Sequence, residues 1–403
     1  MTIPHTRIRV FTAVVTAFML GNTVHAALAI PLRQTPTKPR IYGFYTGADL
    51  SELPVHERSG LKYSDSAGAA NLLTVAHRNG WNIVRVRLWV HPNSDPKNAV
   101  SKLTSVTALG RRIKAAGMKF MLDIHYSDFW ADPGHQKKPA AWANLPFPQL
   151  VRKTHDYTRD VVKYLRQNQA KPDFVQVGNE TRNGLLYGSG LNGSSDLPGG
   201  GFWEKDGKGV DRAILLFQAG LQGVADGSSP GKCPVTIIHM PDGQDTSFVK
   251  NVFSMLSDHG AKMSPPVELH FDVVGLSYYP GHPWDHKAGY PAWRLSHLAE
   301  SMKFVAEVMH KPVMIVETAW PYSGTNADTT GTPEFAFTPD GQAQYFTALI
   351  KAVKAVPNGL GIGVIPWDMD TLNWDSVFDS RGKALPAVRV LGAAAHTPSR
   401  GAK

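Results

Sequence analysis

The sequence predicts a (β/α)8 TIM barrel with enlarged βα loops, folded as one domain over residues 41–395. Three observations carry that expectation. Eight short apolar runs alternate with helix-like segments over about 350 residues, the rhythm of strand and crossover helix in parallel α/β proteins. Most of the runs lack polar alternation, as strands buried on both faces do. Polar side chains gather at the C-terminal end of each run, where barrels of this kind carry their chemistry.

The runs are 41–46, 83–89, 119–124, 174–178, 235–239, 273–277, 313–316 and 363–366. "AANLLTVAHRN" (69–79) precedes the second, and "LTSVTALGRRIKAAG" (103–117) precedes the third, with Gly117 as its stop. Segments 148–168, 210–226, 245–260, 294–310 and 341–356 have helical character and precede the fourth to eighth runs in turn. A doubly wound sheet is the alternative. It asks for a glycine-rich phosphate loop after its first strand, and "YTGADLSELP" (45–54) lacks that spacing. No repeat of solenoid length is visible. "YGSGLNGSSDLPGGG" (187–201) reads as a long loop after the fourth strand, with plain flexibility as an equal explanation.

The N-terminus reads "MTIPHTRIRVFTAVVTAFMLGNTVHAALA". A basic start (Arg7, Arg9), an apolar stretch from Val10 to Leu20 and a cleavage-like Val24-His25-Ala26 predict a signal peptide over 1–26 and secretion, extracellular or periplasmic. The apolar stretch is short for a bilayer span, which disfavours a retained anchor. A Pro-rich basic linker follows over 27–40, and 396–403 form a tail. The formal charge of +9 falls to about +7 once Arg7 and Arg9 are removed. That suits mild attraction to polyanions such as acidic polysaccharide, while the absence of a basic stripe argues against nucleic acid. Cys233 is the only cysteine, which excludes an intrachain disulfide and a cysteine-built zinc site. Nothing asks for more than a monomer.

"DFVQVGNETRNG" (173–184) poses the functional question: an apolar run stops at Gly178, Asn179 and Glu180. Turn preference alone explains an isolated case. The other run ends, however, deliver Asp49, Arg87 and Trp89, Asp123, His125, Tyr126 and Asp128, His239, Tyr278 and Tyr279, Glu317, and Trp367 with Asp368. Glu180 and Glu317 end the fourth and seventh runs, which face each other across a barrel mouth. Retaining glycoside hydrolysis needs two carboxylates about 5–5.5 Å apart, one protonating the glycosidic oxygen and one attacking the anomeric carbon. Asn179 suits a hydrogen bond to the sugar 2-hydroxyl. Arg87 suits holding one carboxylate ionised, or bracing an ion pair inside the barrel. Tyr278 or Tyr279 suits donation to the nucleophile, but adjacent strand residues have opposite faces, so only one points inward. Glu317 can also be read as a carboxylate at a helix N-terminus. Among Trp89, Trp130, Trp142, Trp320 and Trp367, the last is the best sugar platform, although a lone tryptophan is more often core. The imidazoles of 125–142 lack the paired spacing of a metalloprotease helix, so no metal is assigned.

"GADLS" (47–51), "VRVRLWVHP" (84–92), "GMKFMLDIHYSDFWADPGHQKKPAAW" (117–142), "VQVGNE" (175–180), "VVGLSYYP" (273–280) and "VETAWP" (316–321) resemble glycoside hydrolase family 53. The resemblance runs from about Tyr42 to Leu391. It implies an endo-β-1,4-galactanase acting by retention on the galactan of type I, pectic arabinogalactan, with no cofactor required. Glu180, preceded by Asn179, matches the family's acid/base and Glu317 its nucleophile. Substrate contacts are expected from Asn179, Arg87, Asp49, Trp89, His125, Asp128, His239, Tyr278 and Trp367. Some bacterial members carry a structural calcium in a late loop, but no ligands for it are assigned here. Three departures are visible: Thr181-Arg182 after the acid/base, Trp367-Asp368-Met369 where Trp-Glu-Pro is usual, and the loop "PYSGTNADTTGTPEF" (321–335). They bear on subsites rather than on the glutamates. Arg182 is expected to pair with a nearby carboxylate.

Overall fold

A computed structural model describes residues 43–187, 197–280, 295–324 and 335–395. The expected leader, linker and tail lie outside the described residues, as do most of 187–201 and of 321–335. Eight parallel strands close into a barrel in chain order: β1 (Tyr45–Asp49), β2 (Ile83–Leu88), β3 (Lys119–Ile124), β4 (Phe174–Val177), β5 (Val235–Met240), β6 (Val273–Tyr278), β7 (Val313–Thr318) and β8 (Gly361–Val364). Each strand is followed by a helix: α1 (Leu72–Arg78), α2 (Leu103–Ala115), α3 (Phe147–Gln167), α4 (Gly209–Gly227), α5 (Thr246–Lys262), α6 (Leu295–Glu307), α7 (Pro339–Lys354) and α8 (Pro386–Ala395).

Burial explains the missing alternation. Every residue of the eight strands except Lys119 is buried, because the inner face meets the barrel core and the outer face meets the helices. Tyr45, Ile83, Met121, Phe174, Ile237 and Met314 belong to one apolar cluster drawn mostly from the strand starts. Each such side chain contributes roughly 1.5–3 kcal/mol of burial. Two residues further along the same strand faces the text turns polar: Ile83 leads to Arg85 and Arg87, Met121 to Asp123, Phe174 to Gln176, Ile237 to His239. The cluster thus ends and a polar layer begins toward the C-terminal mouth.

Helix boundaries follow local chemistry. Asn71 caps α1 by accepting from Thr74 N, Asp245 caps α5 from Phe248 N, and Thr338 caps α7 from Gly341 N. Gly117, at φ +81°, lies just past α2. α3 and α4 pack closely because a Cβ at Gly223 would lie 2.5 Å from His155 O, and one at Gly227 would lie 2.5 Å from Arg159 O. Among the described residues no helix is long and apolar enough to cross a membrane.

Three expectations are corrected. The first strand spans Tyr45–Asp49 and so runs past the expected end at 46, because polar Asp49 is buried within it; residues 41–42 lie outside the described residues. The last spans Gly361–Val364 rather than 363–366. No helix is expected after the eighth run, but α8 follows it and buries Ala387, Val388, Leu391, Gly392 and Ala394.

Candidate active site

A cavity of about 370 Å³ opens at the C-terminal mouth, lined among others by Asp49, Arg85, Asn179, Glu180, Ser277, Tyr279, Glu317 and Trp367. Its floor is organised by Arg85, which is 1% exposed. The guanidinium meets Asp49 Oδ2 at 2.9 Å, Asp123 Oδ2 at 2.8 Å and Glu317 Oε1 at 2.8 Å, and donates to Asn179 Oδ1 at 2.8 Å. One cation facing three buried carboxylates leaves an excess of negative charge, so the site favours holding a proton. Burial pushes Glu317 up to about 7, opposed by Arg85 and by its bond from Tyr279 and reinforced by Asp123 and Asp49.

Glu317 reaches this position through a register shift. Leu276 of β6 pairs with Ile315 of β7, but Ser277 pairs with Glu317, leaving Val316 as an extra residue. Val316 is in the apolar cluster, and the bulge lets the next side chain, Glu317, also meet Arg85. The second oxygen of Glu317 accepts from Tyr279 Oη at 2.9 Å. Burial, followed by the charges of Glu317 and Glu180, drives the Tyr279 phenol well above its ordinary value, so it stays a donor.

Glu180 stands at φ +44°, a conformation a non-glycine residue holds at about 1–3 kcal/mol of strain. It follows Gly178 at φ +83°, where a Cβ would lie 2.7 Å from Thr181 Cγ2. The turn is pinned by Gln136 Nε2 donating to Asn179 O at 2.6 Å and by Thr181 N donating to His239 O at 3.0 Å. Glu180 Oε1 accepts from Ser277 Oγ at 2.6 Å, and Ser277 Oγ lies 2.8 Å from His239 Nε2. His239 is fully buried, and burial followed by Arg85 and His125 holds it well below its ordinary value, so it is neutral. The Asn179 amide is oriented by Nδ2 donating to Ala131 O at 2.8 Å.

The structure brings Glu180, Glu317, Asn179, Asp49, Arg87, His125 and Trp367 to the cavity. It places four expected contacts elsewhere. Tyr278 is buried and stacks on Tyr345, ring centroids 6.3 Å apart, and the inward tyrosine is Tyr279. Asp128 braces loops, accepting from His91 N and Ala140 N. Trp89 is buried behind Trp130 and donates to His125 Nδ1 at 3.3 Å. His239 does not line the cavity and meets the site from behind, through Ser277 Oγ on its Nε2 side and the Glu180 N–H on its Nδ1 side. Arg87 lines the cavity but meets Glu52 at 2.7 Å and lies over the rings of Trp89 and Trp130; the arginine on Glu317 is Arg85. His125 Nδ1 accepts from Ala131 N, so Nε2 carries the hydrogen that faces Asp123 Oδ2 at 2.9 Å.

Sequence reasoning missed Arg85, Ser277 and Gln176, whose Nε2 donates to Asp123 Oδ1 at 2.5 Å. Period two from Arg87 and Tyr279 was the available signal for the first two. Trp130 lines the cavity 6.0 Å from Trp367, ring to ring, at 67°, so two aromatic faces flank the polar floor. Arg182 pairs with Asp242, which also lines the cavity, and lies 4.4 Å over Phe248. Among the described residues no group of three or more His, Cys, Asp or Glu side chains is arranged to hold a metal ion.

Known proteins are similar to this chain in sequence and in fold. A protein of Neosartorya fischeri named probable arabinogalactan endo-beta-1,4-galactanase A is 34% identical over 79% of this chain and 82% of its own. The arabinogalactan endo-beta-1,4-galactanase of Cellvibrio japonicus is 32% identical over 81% of this chain and 80% of its own. A solved fungal beta-1,4-galactanase superposes with a TM-score of 0.73 at 28% identity, covering 87% of this chain and 99% of that one. The profile of Glycosyl hydrolase family 53 matches residues 45–391. With that match spanning the whole barrel, the chain belongs to glycosyl hydrolase family 53.

Proposed function

We propose that the chain is a secreted, retaining endo-β-1,4-galactanase that cuts internal β-1,4-galactosidic bonds of galactan and type I arabinogalactan. The observation that carries this reading is the pair of glutamates, one just past β4 and one on β7, at one cavity, each gripped differently, in a family whose relatives here are named galactanases. Glu317 is the nucleophile. Arg85 and Tyr279 each hold one of its oxygens, which fixes the carboxylate against the anomeric carbon and favours its charged form. Glu180 is the acid that protonates the departing oxygen, and it then takes a proton from water in the second displacement. Asn179 Nδ2 donates one hydrogen to Ala131 O, and its other is the donor for the sugar 2-hydroxyl. Trp130 and Trp367 offer flat apolar faces for pyranose rings. No cofactor enters this chemistry.

The test is reducing-sugar release from linear β-1,4-galactan beside mannan and mixed-linkage glucan. Release of short oligomers from galactan alone supports the reading. Activity on another glycan keeps the two-glutamate chemistry and moves the substrate, and tight galactan binding without cleavage makes the protein a galactan-binding one. Glu180→Gln and Glu317→Gln should each remove nearly all turnover with the fold intact. Secretion rests on the leader composition of 1–26. A mature protein beginning at Ala27 in the culture or periplasm supports it; an uncleaved N-terminus counts against it.

A further inference from the structure

The geometry points to Ser277 and His239 as the pair that dictates which oxygen of Glu180 carries its transferable proton. This rests on the reading of Glu180 as the acid/base and goes beyond it by assigning positioning roles to two residues on neighbouring strands β5 and β6.

The direction of the chain follows from its partners. The backbone N–H of Glu180 points at His239 Nδ1 at 3.3 Å, and Gln176 Nε2 lies 3.1 Å from the same nitrogen. A nitrogen facing two donors is an acceptor, so the ring hydrogen is on Nε2. The opposite tautomer would aim an N–H at Asn179 Oδ1, 3.1 Å away, which already accepts from Arg85. It would also set that hydrogen against the Glu180 N–H. With its hydrogen on Nε2, His239 donates to Ser277 Oγ at 2.8 Å. The serine hydroxyl then has its own hydrogen to place, and Glu180 Oε1 lies 2.6 Å away. The chain therefore runs one way: His239 donates to Ser277, and Ser277 donates to Glu180 Oε1.

A fixed donor at Oε1 has a catalytic consequence. A proton on Oε1 would force the Ser277 hydrogen out of its bond, with the His239 donor already filling the other side of the hydroxyl. The protonated state of Glu180 thus carries its hydrogen on Oε2. As the glycosidic bond breaks, the Oε2–H bond breaks and the leaving oxygen gains that proton. In the second step Oε2 takes a proton from water as the water oxygen bonds to the anomeric carbon. His239 stays neutral throughout, consistent with its buried site beside Arg85. The strained backbone at Glu180 is held by the same histidine, whose carbonyl accepts from Thr181 N at 3.0 Å.

The decisive experiment compares substrates with poor and good leaving groups. Ser277→Ala is expected to lower kcat/KM on linear β-1,4-galactan by about 10- to 100-fold, part of the general-acid contribution. On 2,4-dinitrophenyl β-galactobioside, whose leaving group departs without a proton, kcat/KM should stay within about twofold, since general acid catalysis has nothing to supply there. Ser277→Thr, which keeps a hydroxyl on the same carbon, should recover most of the galactan activity. His239→Phe should repeat the selective loss by freeing the serine hydroxyl. Equal losses on both substrates, or no loss on galactan, would overturn the proposal. Glu180→Gln is measured in parallel: full galactan turnover by that variant would defeat the acid/base reading itself rather than the positioning role.

Discussion

Arg85 Nη2 lies 2.8 Å from Glu317 Oε1 and 2.8 Å from Asp123 Oδ2, so one buried guanidinium couples strands two, three and seven at the floor of the cavity. The arrangement explains how a carboxylate stays usable as a nucleophile in a site crowded with like charge. Removing one partner of such a buried network typically costs about 3–5 kcal/mol, because the remaining charges lose their compensation.

Arg85→Lys keeps the charge but replaces the planar fork with a single ammonium, which cannot serve Asp49, Asp123, Glu317 and Asn179 together. We expect a folded protein with kcat lowered about 100-fold through misplacement of Glu317. Arg85→Met should also lower thermal stability measurably. Kinetics and thermal melts on the two variants check this, and wild-type kcat in Arg85→Lys would remove Arg85 from the site's logic.

Tyr279→Phe tests the other grip on Glu317. The phenol donates to Glu317 Oε2 and so favours the carboxylate. Glu317 is pushed up to about 7 chiefly by burial, and the Tyr279 bond works against that rise. Losing the bond raises the value further. The acidic limb of kcat/KM, where Glu317 must ionise, should therefore move to higher pH in the variant. A pH–rate profile decides it; a limb that stays put or moves down contradicts the assignment.

The outline of the fold was legible because burial on both strand faces leaves unbroken apolar runs, and because Gly178-Asn179-Glu180 interrupts one of them abruptly. Resolution failed within the polar layer. Arg85 and Arg87 share one face of β2 by period two, and only their depth in the barrel decides which reaches Glu317. The bulge at Leu276/Ser277 is a pairing property of two strands, so neither strand's text reveals it. Ser277 gave only the period-two signal from Tyr279, and a serine among Leu276, Tyr278 and Tyr279 looks like a strand-end filler. Position alone suggests His239 and Asp128 as substrate contacts, but neither lines the cavity: His239 supports Ser277 and the Glu180 backbone, and Asp128 braces loops.

Arg87 and Trp130 form a unit with a different expected signature. The guanidinium lies 4.2 Å from the Trp130 ring centroid and pairs with Glu52, away from Glu317. Trp130→Ala removes a platform and the support of Arg87. KM for galactan should rise about tenfold or more, in line with the roughly 1–2 kcal/mol of a cation–π contact and ring stacking. The acidic limb of the profile should not move. Steady-state kinetics on galactan of several chain lengths checks both statements.

Asp368, beside Trp367 past the end of β8, stands at φ +58°, with Oδ1 buried and without a hydrogen-bond partner. Burial, then the charge of Glu52, pushes its carboxyl up to about 8 against the pull of Arg87. Neighbouring Asp370 is buried with both carboxyl oxygens unpartnered and is also driven upward. A raised folded-state value means the protonated form is the stabilising one. Its contribution is full below the ordinary value of 3.8 and drains away as pH rises through about 8. Asp368→Asn holds the neutral shape at every pH. The variant should match the parent near pH 4 and gain on it as pH rises toward about 8, at up to about 1.4 kcal/mol per pH unit. Denaturant unfolding at a series of pH values measures the gap. Parallel stability curves for the two proteins would show that Asp368 is ionised in the folded barrel and held by charges other than those described.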